Sequence, residues 1–175
     1  CQYTIKKIFP KLNSFFEIGC GEGFFANEFH KAGVKKIVLN DFSEVGLEKF
    51  NPHLKRFLKK MDIYELIDEV ANQNGHFNLI SMDNVLEHVI NPENLLKSIK
   101  KIMSDSSVLR ITVPNDFSSF QSMLLDYGLA KQTWVSPPDH LSYFNSKNIV
   151  QFCESLGFNI VSTQCDFPIE LFLAN

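Results

Sequence analysis

The stretch "FFEIGCGEGFF", residues 15–25, decides the fold. An apolar run ends at Glu17, and glycines follow at positions 19, 21 and 23. Backbone stripped of side chains at that density marks a close approach. What approaches is a pyrophosphate, a nucleoside without phosphates, or a neighbouring helix.

Outward from this stretch, strand and helix patterns alternate. "SFFEIG" has the apolar run of a buried strand, and residues 24–32 a helix with Phe25, Phe29 and Ala32 on one face, stopped by Gly33. "KKIVLND" (35–41) is a second strand, with Ser43 as cap of a short helix to about Phe50. "RFLKKMD" (56–62) is a weaker strand before the helical "YELIDEVANQN". "FNLISM" (77–82) is a fourth strand. "NPENLLKSIKKIM" (91–103) is the clearest helix, capped by Asn91, opened by Pro92 and striped by Leu95, Leu96, Ile99, Ile102 and Met103. "SVLRITVPN" (107–115) is a fifth strand, and residues 116–145 read as irregular and aromatic. A helix over 146–157 capped by Ser146, and a strand over 158–164, follow.

Strands separated by helices of about ten residues imply a parallel sheet covered on both faces. Ligands of such sheets sit beyond the carboxyl ends of the strands, where strand order reverses. The candidate contacts are therefore Glu17, Gly19, Cys20, Gly21 and Gly23 after the first strand, and Asp41 and Phe42 after the second. Asp62 and Ile63 follow the third, and Met82, Asp83 and Asn84 the fourth. Asp62 also suits the cap of the next helix, and Asp41 could cap as well. As a surface strand-end residue, Asp41 should matter little to stability. Glu87 reads as solvated, Trp134 and Tyr143 as packing residues, and Cys20 as a small residue in a tight turn.

Composition narrows the partners. With 175 residues the chain fits a single domain, 1–175, and its 45% hydrophobic and 21% charged content is ordinary for a globular protein. The net charge of -3 gives no electrostatic case for nucleic acid. "HLKRFLKK" (53–60) reads as a solvated face. The cysteines at 1, 20, 153 and 165 lack CxxC spacing, so neither a metal site nor a disulfide framework is expected, and a reducing cytoplasm is the default. No apolar run approaches the ~18 residues of a membrane span. The first residue is Cys rather than Met, which points to a piece of a longer protein.

The dinucleotide fingerprint G-x-G-x-x-G requires glycine at 24, where Phe24 stands; the chain reads G-x-G-x-G. That disfavours a pyrophosphate cradle and an NAD-linked oxidoreductase. Asp41, about 20 residues on, suits the hydroxyls of a ribose.

Glu17-Ile-Gly19-Cys-Gly21-Glu-Gly23 resembles motif I of class I S-adenosylmethionine-dependent methyltransferases. Further segments are similar in order: Asp41 in "NDFSE", Asp62 in "KKMDIYEL", "DNVLEHV" (83–89), "LRITVPN" (109–115) and "PDHLSYFNSKNIVQFCESLGFNIV". The resemblance spans about residues 13–165 and is nearest to the ubiquinone-type and sugar-modifying small-molecule subgroup. It implies a three-layer Rossmann-like α/β sandwich with a mostly parallel, roughly seven-stranded sheet. A covering helix would lie in "CQYTIKKIF" and a last antiparallel strand in "FPIELFLAN" (167–175). It also implies S-adenosylmethionine as cofactor, Asp41 on its ribose and Asp62 at its adenine amine. The chemistry agrees, because this cofactor has no phosphates and needs no basic site. Glycines admit its methionine part, Glu17 can balance its ammonium, and amides opening the helix at Gly23 can face its carboxylate. The acceptor is expected to be a small molecule, methylated on oxygen, with His140 or His88 as base. A non-catalytic nucleoside-binding module remains the alternative from another class.

Overall fold

A computed structural model describes residues 12–129, 131–132 and 134–165. The expected covering helix (1–9) and closing strand (167–175) lie outside them. The chain forms two compact units, residues 1–112 and 113–175.

In the first unit the elements are β1 (Ser14–Ile18), α1 (Phe24–Lys31), β2 (Lys36–Asn40), α2 (Val45–Phe50), β3 (Leu58–Lys59), α3 (Ile63–Asn72), β4 (Leu79–Asp83), α4 (Pro92–Ile99) and β5 (Val108–Thr112). Short 3-10 turns occupy Pro52–Phe57, Leu86–His88 and Lys100–Ile102. The five strands are all parallel, in the order β3-β2-β1-β4-β5. The chain winds outward from β1 to β3, then restarts at β4 on the other side, so strand order reverses between β1 and β4.

Side-chain alternation sorts β1 onto two faces. Phe15 stacks on Phe29 and meets Phe25 edge-on, so α1 covers the Phe15 and Glu17 face, joined in one core by Leu39 of β2 and Leu47 of α2. Phe16 and Ile18 point the other way, where Phe16 meets Phe77. Leu66, Ile67, Leu95, Leu96 and Ile99 are fully buried on α3 and α4, the two helices that pack together. Each such side chain contributes roughly 1.5–3 kcal/mol on burial. The α/β three-layer Rossmann-like class is therefore present, with five strands rather than seven among the described residues.

Several expected boundaries shift. Ala26, not Ala32, joins Phe29 in the core. The cap residue of α2 is Glu44, and Ser43 Oγ accepts the N–H of Val45 instead. The third strand shrinks to two residues because the preceding 3-10 turn, opened by Pro52, consumes its start. Asn91 caps α4 as expected, Oδ1 accepting the N–H of Asn94 at 2.9 Å.

The second unit holds α5 (Ser119–Asp126) and α6 (Asn148–Ser155). The first was expected to be irregular; its signature was Ser118 followed by Gln121, which form a reciprocal capping box. Ser146 does not cap α6. Asn145 Oδ1 accepts the N–H groups of Lys147 and Asn148 and does that work. Residues 158–164 form no strand; Phe158 N–H closes the helix end onto the Cys153 carbonyl, and Val161 is exposed.

Candidate functional site

The three glycines do three different things. All take φ between +51° and +73°, which other residues adopt only under strain. A Cβ on Gly19 would stand 2.5 Å from Val85 Cγ2, so Gly19 lets β1 and the turn after β4 close together. A Cβ on Gly23 would stand 2.4 Å from Leu47 Cδ2, so Gly23 serves packing against α2. A Cβ on Gly21 would meet nothing within 4 Å.

The amides of this loop are already bonded. Gly19 and Cys20 N–H both donate to the Asn40 carbonyl, at 2.8 and 3.1 Å, and Gly23 N–H donates to the Cys20 carbonyl at 2.8 Å. Gly21 N–H donates to Asp41 Oδ2 at 2.9 Å, and Ser43 N–H to Asp41 Oδ1 at 2.9 Å. The loop is therefore no phosphate cradle, since a cradle needs amides aimed outward.

At the reversal of strand order lies a recess of about 240 Å³, lined by Gly19, Asn40, Asp41, Phe42, Ile63 and Asn84, with His88 among the remaining residues. Ile18 and Val85 floor it from the ends of β1 and the turn after β4, and Leu95 walls it from α4. Phe42 is 77% exposed at its rim. Asn84 holds φ +50°, turning the chain sharply out of β4. Six of the sequence-derived candidates thus converge here: Gly19, Asp41, Phe42, Ile63, Asn84 and His88. Asn40 was missed, though its buried amide fixes the β3 end by donating to the carbonyls of Lys59 and Met61.

The other candidates lie beside the recess. Asp62 caps α3, its Oδ1 accepting the N–H groups of Tyr64 and Glu65. Met82 is fully buried on the face of Ile18. Cys20 is buried, and burial together with nearby Asp41 and Glu17 pushes its thiol up to about 12, so it stays protonated and is no nucleophile. Glu17 is only 3% exposed, and Oε2 has no hydrogen-bond partner among the described residues. Burial pushes its carboxyl up to about 8; Arg110 opposes this, Asp83 adds to it, and a hydrogen bond from the Ala26 amide opposes it weakly. One amide at the opening of α1 is thus spent on Glu17. Glu87, expected to be solvated, is 1% exposed.

In the second unit His140 sits beside Tyr143, their ring centroids 6.2 Å apart, and its backbone N–H donates to the Ser136 carbonyl. Asp116, missed in the sequence, is 3% exposed, with Oδ2 unpartnered among the described residues. Burial raises its carboxyl, and the charge of nearby His140 opposes that rise. Phe117, Trp134 and Tyr143 meet edge-to-face around the same segment.

Residues 2–163 match a protein family described as a methyltransferase domain. The chain belongs to that methyltransferase-domain family. S-adenosylmethionine is the cofactor of such enzymes, as the fold and motif I resemblance implied. The methyltransferase domain is 23% identical over 178 residues to the mitochondrial ubiquinone biosynthesis O-methyltransferase of Dictyostelium discoideum, covering 89% of this chain and 56% of that protein. The chain thus spans little more than half the length of this curated relative. Its fold is similar to a SAM dependent methyltransferase from Archaeoglobus fulgidus, with a TM-score of 0.66, 21% identity, and coverage of 90% and 66% of the two chains. It is also similar to the N-terminal domain of EvdMO1, solved with SAH bound, with a TM-score of 0.60, 18% identity, and coverage of 89% and 69%. Among the described residues, no helix is long and apolar enough to cross a membrane.

Proposed function

We propose that this methyltransferase domain binds S-adenosylmethionine across the reversal of strand order and methylates a hydroxyl of a small molecule, a phenol or a sugar. The observation that carries the cofactor reading is the spent glycine loop: Gly19, Cys20, Gly21 and Gly23 all donate internally, which suits a nucleoside without phosphates and not a dinucleotide. Asp41, Phe42 and Ile63 line the same recess, which supports Asp41 as acceptor for the ribose hydroxyls and Phe42 and Ile63 as the apolar contacts of the adenine edge. Both cap bonds of Asp62 end on Oδ1, so Oδ2 is the oxygen for the adenine amino group. Glu17 balances the ammonium. The choice of oxygen as acceptor is supported by the O-methyltransferase name of the curated relative.

The reaction is an in-line displacement. Bound in this recess, S-adenosylmethionine would supply a methyl group already activated by its sulfonium, open to in-line attack by an acceptor oxygen with a neutral thioether as the leaving group. Positioning can supply up to ~7–11 kcal/mol of the barrier. A hydroxyl acceptor must also lose its proton. His140 is the proposed base, with Asp116 as the charge that orients and supports its imidazolium, and His88 as the second candidate. Titration calorimetry with S-adenosylmethionine, its demethylated product and NAD tests the cofactor. Binding of the first two and not of NAD is expected; tight NAD binding with no response to the others would refute the reading. A radiolabelled-methyl screen over phenols, sugars and carboxylates tests the acceptor.

A further inference from the structure

Glu17 of β1, Ser81 of β4 and Arg110 of β5 stand in one register row across three neighbouring strands. Register partners in a parallel sheet project to the same face, here the face covered by α1. Asp83, two residues beyond Ser81, shares that face. Arg110 is held from three sides. Its Nη1 donates to Ser81 Oγ at 3.2 Å, and Nη1 and Nη2 both donate to Asp83 Oδ2, at 3.2 and 3.3 Å. Its guanidinium also lies 4.6 Å from the centre of the Phe25 ring. A carboxyl, a hydroxyl, a guanidinium and a second carboxyl thus line up beneath α1, in a layer otherwise filled by phenylalanine and leucine. Glu17 and Ser81 are buried and Arg110 is only partly exposed, while Asp83 reaches the solvent at the strand end; apolar residues would pack the buried part of the row at lower cost.

We propose that Arg110, clamped by Asp83 and Ser81, is a positioning residue that sets the charge of Glu17 for the amino end of the cofactor. The inference rests on the cofactor reading above. The groups facing Glu17 are Arg110 from β5, Asp83 from β4, the Ala26 amide from α1 and Cys20 from the glycine loop. Arg110 alone among the side chains favours the carboxylate. Asp83 opposes it twice, by its own charge and by engaging the guanidinium.

The two residues therefore have opposite signatures. Arg110→Gln makes Glu17 harder to ionise, and Asp83→Asn makes it easier. Proton release on S-adenosylmethionine binding, measured by calorimetry at pH 8 in buffers of different ionisation enthalpy, reads this directly. A displacement of the Glu17 titration by one pH unit changes the release by about 0.4 proton. Arg110→Gln should release more than the wild type, Asp83→Asn less, and Arg110→Lys about the same. The amino group of the cofactor, which titrates near ~8, contributes equally to every variant and cancels in the differences. Glu17→Gln should abolish the protein's own release. A proton count unchanged in both Arg110→Gln and Asp83→Asn overturns the proposal. If Arg110→Gln does not fold, Asp83→Asn and Arg110→Lys decide it. Failure of the wild type to bind the cofactor overturns the reading beneath instead. The two failures are distinct, because ligand-free melts against pH still show whether Arg110 moves the Glu17 titration.

Discussion

Gly21 and Gly23 are two residues apart, both have positive φ, and their replacement by alanine should nevertheless have opposite consequences. Alanine in the left-handed region costs roughly 1–2 kcal/mol at either position. At Gly23 the new methyl must also displace Leu47, whose Cδ2 would lie 2.4 Å away, and press Leu54 at 3.2 Å. Both leucines are fully buried, so neither can swing into solvent. Overpacking of this kind adds about 1–3 kcal/mol, for a total of about 2–5 kcal/mol. In a domain of this size each kcal/mol lowers Tm by about 2–4 °C. Gly23→Ala should therefore melt about 4–20 °C below the wild type. Gly21→Ala, with open space before its Cβ, should lose only the conformational part. Its methyl would enter the space proposed for the methionine end of the cofactor, so affinity should fall about tenfold or more, equivalent to about 1.4 kcal/mol. Urea unfolding and cofactor calorimetry on both variants separate the effects. Equal stability losses, or a Gly23→Ala protein as stable as Gly21→Ala, would refute the assignment of Gly23 to packing.

Asp41→Ala should lower cofactor affinity at least tenfold and, contrary to its appearance as a surface strand end, also cost about 1–3 kcal/mol of stability by freeing the N–H groups of Gly21 and Ser43; an unchanged denaturation midpoint would refute the structural half. The Glu17 carboxyl titrates near 8 in the folded chain against 4.5 unperturbed, so the folded state binds the extra proton. Stability should then fall as pH rises from about 4.5 through 8, by a total on the order of 4–5 kcal/mol, and Glu17→Gln should flatten that slope in urea titrations against pH. His140→Ala should leave cofactor affinity within about threefold, or about 0.7 kcal/mol, while turnover drops roughly 10²-fold. Asp116→Asn should lower turnover less than His140→Ala does, and full turnover in His140→Ala would pass the role of base to His88 or to none.

The parallel sheet was legible because its strands are short apolar runs bounded by glycine, proline and acidic residues, and because the helices between them carry 3.6-residue stripes. Leu95, Leu96, Ile99 and Ile102 follow their stripe into the core, while Met103 at its end is only half-buried. Local rules failed where two groups compete for one task. Glu44 holds the cap position of α2 without a side-chain bond while Ser43 accepts the N–H of Val45, and at α6 Asn145, not Ser146, accepts the opening amides. Ser118 and Gln121 formed a cap in a segment that aromatic residues made look irregular.

The candidate site divides along the same line. Spacing along the chain was enough to put Gly19, Asp41, Phe42, Ile63, Asn84 and His88 at strand ends on one edge of the sheet, because strand ends in a parallel sheet share that edge whatever the side chains are. Which glycine faces a ligand and which faces a leucine depends on where α2 lands, and α2 is more than twenty residues from Gly23. The partners of Glu17 lie further off still. Arg110 and Ser81 share its row only through the register of β1, β4 and β5, and register comes from pairing in space, not from separation along the chain. A buried carboxyl takes its charge from such neighbours, so its chemistry was settled when the strands paired.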